Sequence, residues 1–290
     1  MLTIEPTGAV LGAVVRGVDL ARSLGEEDFA RILLALGRHG VLRFPDQHLE
    51  LADLKRFSER FGKIQGGGVP RQPDQAREFP EIDILSNLKE GGKYIGAPDA
   101  GQDWHTDMTY RETPGFVNVL YGIRIPRRDG KPLGGTEFAN MHAAYDGLPD
   151  DIKTRLAGMT VTHDIEKFWE NMRQNHGSQR PPMTDEQRRR RPPVVHPVFL
   201  THPITGRKVL YCNPGFAERI NELPERESDE MLDFRASAPT AIPLHQCVGR
   251  ERLADLGPSR HLAPRHSRLR PGRDPADPPL SGDGHQGVRS

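Results

Sequence analysis

Apolar and polar residues alternate through the opening stretch, MLTIEPTGAVLGAVVRGVDL, around Gly8, Gly12 and Gly17, the pattern of short strands joined by turns. The period then lengthens. Phe29, Ile32, Leu33 and Leu36 share one helical face, so a helix is expected over Glu26 to Arg38. VLRF at 41 to 44 reads as a strand ended by Pro45, and Leu51, Leu54, Phe57 and Phe61 mark a second helix over Glu50 to Phe61. Three consecutive glycines and three prolines between 66 and 80 extend neither period, which makes that stretch a loop long enough for a lid. Short β-like runs come next: IDIL at 82 to 85, FVNVLYGIRI at 116 to 125, MTVTH at 159 to 163, VVHPVFL at 194 to 200 and KVLYC at 208 to 212. Their spacing suits a sandwich or barrel. One helical stretch interrupts them near Met141 to Ala157, and Thr205-Gly206 supplies a tight turn between two strands. The Arg188 to Arg191 run, flanked by prolines, is expected in a solvated loop.

SDEMLDF at 228 to 234 reads as a helix that stops part-way, and after Phe234 the pattern ends. Residues 235 to 290 are rich in Arg, Pro, His and Gly without a strand or helix period, the composition of a disordered tail. The chain therefore divides into a folded domain over 1–234 and an aberrant segment over 235–290. Lys plus Arg and Asp plus Glu number 40 each, so no overall charge draws the protein to nucleic acid or to an anionic membrane, and a small-molecule substrate is expected. No basic n-region opens the chain and no apolar run approaches the length of a membrane span, which reads as a cytoplasmic protein. Cys212 and Cys247 are too few for a disulfide framework and lack the paired spacing of a zinc site, so buried thiols are expected.

The most informative residues are Asp103-Trp104-His105-Thr106-Asp107. On an extended strand the side chains of His105 and Asp107 point to one side, where an imidazole and a carboxylate can share a metal. They would make two-thirds of a facial triad, in which two His and one carboxylate leave open positions on iron. The other reading of the same spacing is a surface His beside a capping Asp.

Further segments extend the pattern. WHTDMTYRETP at 104 to 114 resembles the metal-binding segment of the TauD/TfdA (taurine dioxygenase-like) family of Fe(II)- and 2-oxoglutarate-dependent dioxygenases. GGTEFANMHAAYDGLP at 134 to 149 resembles the segment in which a Thr after two glycines touches 2-oxoglutarate, and HPVFLTHPITGRKVLYCNPGFAERI at 196 to 220 resembles the hairpin that comes after it. The similarity runs in family order over about 1–234. It implies a mainly β fold with flanking helices, a double-stranded β-helix or jelly roll, incomplete at the C-terminus. It also implies His105 and Asp107 as iron ligands, Thr136 as a 2-oxoglutarate contact, Fe(II) and 2-oxoglutarate as cofactors, and a homo-oligomer. The implied reaction hydroxylates a small organic acid with dioxygen, releasing succinate and carbon dioxide. Trp104 and Tyr110 flank the ligands and either line the pocket or belong to the core. Taurine-specific members carry a His and a Tyr in the loop matching Gln65 to Pro70 and an Asn before the metal motif. Here those stretches read QGGGVP and DAGQ, which points to another sulfonate, a sulfate ester or an aryloxy acid.

The family's second iron His and its 2-oxoglutarate Arg lie downstream in a Trp- and Asp-rich segment that this chain does not contain. His245, His261 and His266 stand among Arg, Pro and Gly, while His196 and His202 read as structural and His142 and His163 as satisfied or exposed rather than ligating. A one-base shift of reading frame near Phe234 would account for the difference. Codons for Val248 to Asp255, read one base forward, permit Trp-Ala-Glu-Asn-Asp-Leu-Leu, and the stretch to about Arg270 permits Ile-Trp-Asp-His-Leu-Gly-Thr-Trp-His-Arg-Ala-Ile-Ala-Asp-Tyr. Its His comes from the codons of Ala263 and Pro264, and Pro275 to Gln286 permit a run opening on Arg. Two rival readings remain open: an inactive truncated relative lacking the third iron ligand, and a non-enzymatic metal- or anion-binding module built from the tail histidines and the Arg run.

Overall fold

Alternation makes the first sheet. In the computed structural model of the protein, which describes residues 1–66, 78–98, 104–233 and the backbone of 250–253, β1 (Thr3–Pro6) and β2 (Ala13–Arg16) form an antiparallel pair and β2 runs parallel to β3 (Leu42–Arg43). Ala13 and Val15 turn inward from β2 while Arg16 turns out. Helix α1 (Glu26–His39) carries Glu26, Glu27 and Asp28 in its first turn and Arg38 and His39 in its last, both favourable to the helix dipole, and buries Ile32 against Leu2 and Val15. Helix α2 (Leu51–Glu59) starts where the Asp53 carboxylate accepts from the Glu50 backbone N–H at 3.1 Å, and it buries Leu54 and Phe57. Edge-on contacts between Phe29 and Phe61, Phe57 and Phe61, and Phe44 and Phe57, with centroids 5.1 to 5.7 Å apart, bind the two helices to β3.

Two short ribbons come next: β4 (Lys89–Glu90) with β5 (Lys93–Tyr94), and β6 (Arg127–Arg128) with β7 (Lys131–Pro132). Then come β8 (Thr136–Ala139), α3 (Met141–Asp146), α4 (Asp150–Leu156), β9 (Thr160–His163), α5 (Ile165–Asn175), α6 (Asp185–Arg190), β10 (Val194–Pro197), β11 (Phe199–Thr201), β12 (Lys208–Leu210), β13 (Ala217–Ile220), α7 (Glu225–Leu232) and β14 (Arg250–Leu253). Strand β9 is the centre of an antiparallel sheet, β10-β9-β13, with a register irregularity between Ala217 and Arg219. β11 and β12 form a hairpin closed at Thr205-Gly206, where Gly206 has φ 68° and His202 N–H donates to Arg207 O. Val161, Val198, Leu210, Cys212, Ala217 and Ile220 from these strands meet Ala144, Leu148 and Leu156 of the α3–α4 region in the largest apolar cluster. The described residues fall within one compact unit, Met1–Ser259, and no described helix is long and apolar enough to cross a membrane.

Several expectations are corrected. The helix foreseen near Met141 to Ala157 is two helices, because Gly147-Leu148-Pro149 interrupts it. The Arg188 to Arg191 run lies mainly on a helix, α6, with Thr184 Oγ1 accepting from Gln187 N–H and Gln187 Oε1 from Thr184 N–H, and Arg188 pairs with Glu166 and Asp185. FVNVLYGIRI forms no described strand; Val119 and Tyr121 pack inward while Leu120 and Ile123 are exposed. IDIL contributes only an isolated bridge, Leu85 to Ala97. The segment after Phe234, expected to hold no strand, supplies β14, antiparallel to β8. Among the described residues the strands fall into two three-stranded sheets and four ribbons, an architecture of mixed sheets and helices. Most of the 66 to 80 loop lies outside the described residues, as do Cys247 and the histidines of the tail.

Candidate active site

His105 lies in an extended stretch without ladder bonds, and the chain turns directly after it: Asp107 to Tyr110 form turns, with Met108 at φ 60°. The flat strand expected here is therefore replaced by a turn, yet the two side chains still converge. His105 Nε2 is 3.1 Å from Asp107 Oδ1. Ligands about 2.1 Å from one metal, on neighbouring corners of an octahedron, stand about 3 Å apart, so this spacing fits two cis positions.

The carboxylate is held from its other side. Asn118 Nδ2 donates to Asp107 Oδ2 at 2.7 Å, which leaves Oδ1 facing the imidazole. The hydrogen bond from His105 is the largest influence on Asp107 and lowers its pKa; burial opposes it, and the charge of His105 and the Asn118 bond add to the lowering. Asn118 comes from the segment whose neighbours Val119 and Tyr121 anchor in the N-terminal core, and the Tyr121 hydroxyl accepts from Leu49 N–H at 3.0 Å. Alternation in that segment signals its packing; nothing in it signals a partner for Asp107.

A turn supports the imidazole. In Asn213-Pro214-Gly215-Phe216, the Asn213 carboxamide oxygen accepts from Phe216 N–H at 3.0 Å, and the Asn213 carbonyl accepts from Ala217 N–H. A Cβ on Gly215 would stand 3.0 Å from His105 Cβ and 3.3 Å from Trp104 O, so glycine lets this turn lie against the metal motif. Asn213 Nδ2 also reaches the buried Thr109 hydroxyl at 3.4 Å. Phe216 stacks on Phe168 of α5, with centroids 4.9 Å apart, and both rings lie near His105 at 6.3 and 5.6 Å. Tyr110 joins them, 5.1 Å from Phe216, in a cluster with Ile165, Trp169 and Met183, and burial raises its pKa. Trp104 is half-buried beside His105.

Thr136 stands at the first position of β8, exposed and in register with Leu253, and no hydrogen bond joins it to His105 or Asp107 among the described residues. No group of three His, Cys, Asp or Glu side chains suited to a metal occurs among the described residues. Imidazole and carboxylate thus fit two iron positions, and the described residues add no third. Three of the histidines not expected to ligate are satisfied: His142 Nδ1 meets Lys208 O at 2.9 Å, His202 Nδ1 accepts from Ile204 and Thr205 N–H, and His196 Nε2–H donates to Arg111 O at 2.9 Å. The fourth, His163, is neither satisfied nor exposed, being buried with no hydrogen-bond partner for its ring among the described residues. Cys212 is a buried thiol, its pKa pushed up to about 12 by desolvation.

The profile of the family described as "Taurine catabolism dioxygenase TauD, TfdA family" matches residues 3–241. The chain belongs to the TauD/TfdA family. Pentalenolactone F synthase of Streptomyces avermitilis is 32% identical over 245 residues, 80% of this chain and 77% of that protein. The alpha-ketoglutarate-dependent 2,4-dichlorophenoxyacetate dioxygenase of Cupriavidus pinatubonensis is 29% identical over 237 residues, covering 79% and 78%. A crystal structure of a taurine dioxygenase from Burkholderia xenovorans aligns with TM-score 0.62 at 27% identity, over 87% of this chain and 76% of that one. The family is one of 2-oxoglutarate-dependent dioxygenases that use Fe(II), and residues 104–114 fall inside the matched region.

Proposed function

We propose that this chain derives from an Fe(II)- and 2-oxoglutarate-dependent dioxygenase that hydroxylates a small organic acid of the sulfonate, sulfate ester or aryloxy acid type, with His105 and Asp107 as iron ligands. The observation that carries this is the pair itself: an imidazole nitrogen and a carboxylate oxygen 3.1 Å apart, the carboxylate fixed from behind by Asn118. Family membership, and relatives named as sulfonate and 2,4-dichlorophenoxyacetate dioxygenases, support the substrate class. The same likeness supports the jelly roll, a domain over 1–234, Thr136 as a 2-oxoglutarate contact and Trp104 and Tyr110 at the pocket. A cytoplasmic homo-oligomer is the quaternary and cellular setting proposed.

A centre of this kind supplies oxidative decarboxylation of 2-oxoglutarate to succinate and carbon dioxide, coupled to hydroxylation of a C–H bond. The tasks of this chain's own residues are orientation and exclusion of water. Asn118 keeps one carboxylate oxygen of Asp107 directed at the metal position, Gly215 admits the turn that backs His105, and Phe168 with Phe216 screens the imidazole from solvent.

The second reading is a relative that no longer turns over, supported by a sequence after Phe234 that lacks the Trp- and Asp-rich segment with the second iron His. Mn(II) titration followed by electron paramagnetic resonance, together with succinate release, tests both. The expected result is weak Mn(II) binding, lost in His105→Ala and in Asp107→Ala, with little or no succinate. Binding unchanged in both variants would remove the two residues from the metal site.

A further inference from the structure

His163, at the end of β9, is fully buried, and neither of its ring nitrogens has a hydrogen-bond partner among the described residues. The hydroxyl of Tyr211 is buried and equally without a partner. The two rings lie 5.6 Å apart, and His196 closes the third side, 5.5 Å from each. Three polar aromatic rings thus stand in mutual contact beside β9 and β10. The neighbours Val161, Val198, Leu210 and Cys212 are buried and apolar, and the charge that acts on His163 from outside the three rings is that of Lys167.

Burial, with the neighbouring His196 next in weight, lowers the His163 pKa to about 4, so the ring is neutral at neutral pH with one N–H donor and one acceptor nitrogen. The backbone of Tyr211 acts in the opposite sense, but without hydrogen-bond geometry to either nitrogen. Burial likewise raises the Tyr211 hydroxyl to about 12, keeping it protonated. Leaving the hydroxyl and a ring nitrogen unsatisfied together would cost about twice the usual penalty of one orphaned group, and one water between them would pair both. Two or more convergent polar partners are what a buried water requires.

We propose that His163 and Tyr211 form a binding site for a single ordered water, with His196 as its third wall. A neutral ligand suits the site because a dication would bring uncompensated charge among apolar strands that present no carboxylate there. The site adjoins functional ground: His196 donates to the carbonyl of Arg111, four residues beyond Asp107, and Asp164 N–H, next after His163, donates to Phe216 O. The water would therefore stiffen the sheet against which residues 105–111 are held. It does not depend on iron or on turnover.

A crystal structure of the unaltered full chain at about 1.5 Å supplies the direct test. The expected result is one density peak within about 3 Å of both the Tyr211 hydroxyl and a His163 nitrogen. Absence of a peak overturns the proposal, and so does a peak with a metal's anomalous signal. Melting temperatures give an independent test. His163→Phe and Tyr211→Phe each strand the other's partner and are expected to lower the melting temperature, while the double variant falls no further than the worse single. If both single variants raise the melting temperature and the effects add, each group was merely an orphan and no water joined them.

Discussion

At the scale of single residues, the site depends on how a two-residue motif is finished by groups far away in the chain. Asp107 would be a poorly directed ligand if both its oxygens were free to rotate; the bond from Asn118 removes that freedom. Groups that orient a metal ligand typically contribute one to two orders of magnitude in affinity. Asn118→Ala is therefore expected to weaken Mn(II) binding about tenfold or more, with almost no change in melting temperature because the bond is exposed. An equal loss of stability and affinity would mean that Asn118 acts on the fold and not on the ligand. His163 yields a prediction with a definite sign. Its pKa falls from an ordinary 6.5 to about 4 on folding, so between these values the unfolded chain holds more protons and stability rises with pH. The contribution is complete above pH 6.5 and disappears as pH falls toward 4, about 3 kcal/mol in all at roughly 1.4 kcal/mol per pH unit. Urea midpoints at pH 7 and pH 4.5 are expected to differ less in His163→Phe than in the unaltered chain; equal differences would show that the ring does not titrate in this way.

Among elements, the features legible in the sequence are those that depend on local period. Helices α1, α2 and α7, the hairpin β11–β12 and strand β9 all arise from spacing and turn chemistry close to the residues concerned. The Arg run departs from a solvated loop because the capping pair at Thr184 and Gln187 starts a helix whatever charge the later residues carry. FVNVLYGIRI departs for the opposite reason: alternation makes a strand only when a neighbour pairs with it, and no period reveals whether one does. His105 and Asp107 are visible because they are close in sequence, whereas the pairing of Asn213 with Thr109 spans 104 residues. Contacts between elements can nevertheless be tested singly. Gly37 on α1 lies against the β11–β12 turn, where a Cβ would meet Ile204 Cγ2 at 2.8 Å and Thr205 Cγ2 at 3.1 Å. Alanine at an exposed helix position would gain about 1 kcal/mol over glycine. Here the clash is with a branched carbon that cannot swing aside, so Gly37→Ala is expected to lose about 1–2 kcal/mol in urea unfolding. A gain would show that α1 and this turn are not in contact.

For the molecule as a whole, the described residues bring His105 and Asp107 together without a third metal-binding side chain, whereas the proposed iron chemistry calls for one. The family match ends at residue 241, close to the change of composition after Phe234. Upstream, Leu120 and Ile123 are 64% and 66% exposed in a segment with strand-like alternation, and β8 has β14 as its one ladder neighbour among the described residues. If the reading frame is displaced after Phe234, the family's second iron His and the last strands of the fold would both be encoded by the same stretch of DNA. Reading that DNA from the codon of Phe234 onward decides the matter at the level of sequence: the displaced frame is expected to stay open and to encode the Trp-Asp, His and Arg segments. A closed frame, or one unlike that pattern, would end the idea. The chain rebuilt in that frame then provides the functional comparison. Adding a second imidazole to His105 and Asp107 is expected to tighten Mn(II) binding by at least roughly tenfold. Its apolar edge would be covered, so self-association should fall and succinate release should appear with 2-oxoglutarate. A rebuilt chain that binds Mn(II) no better than the original would mean that residues 105–107 do not share a centre with anything downstream.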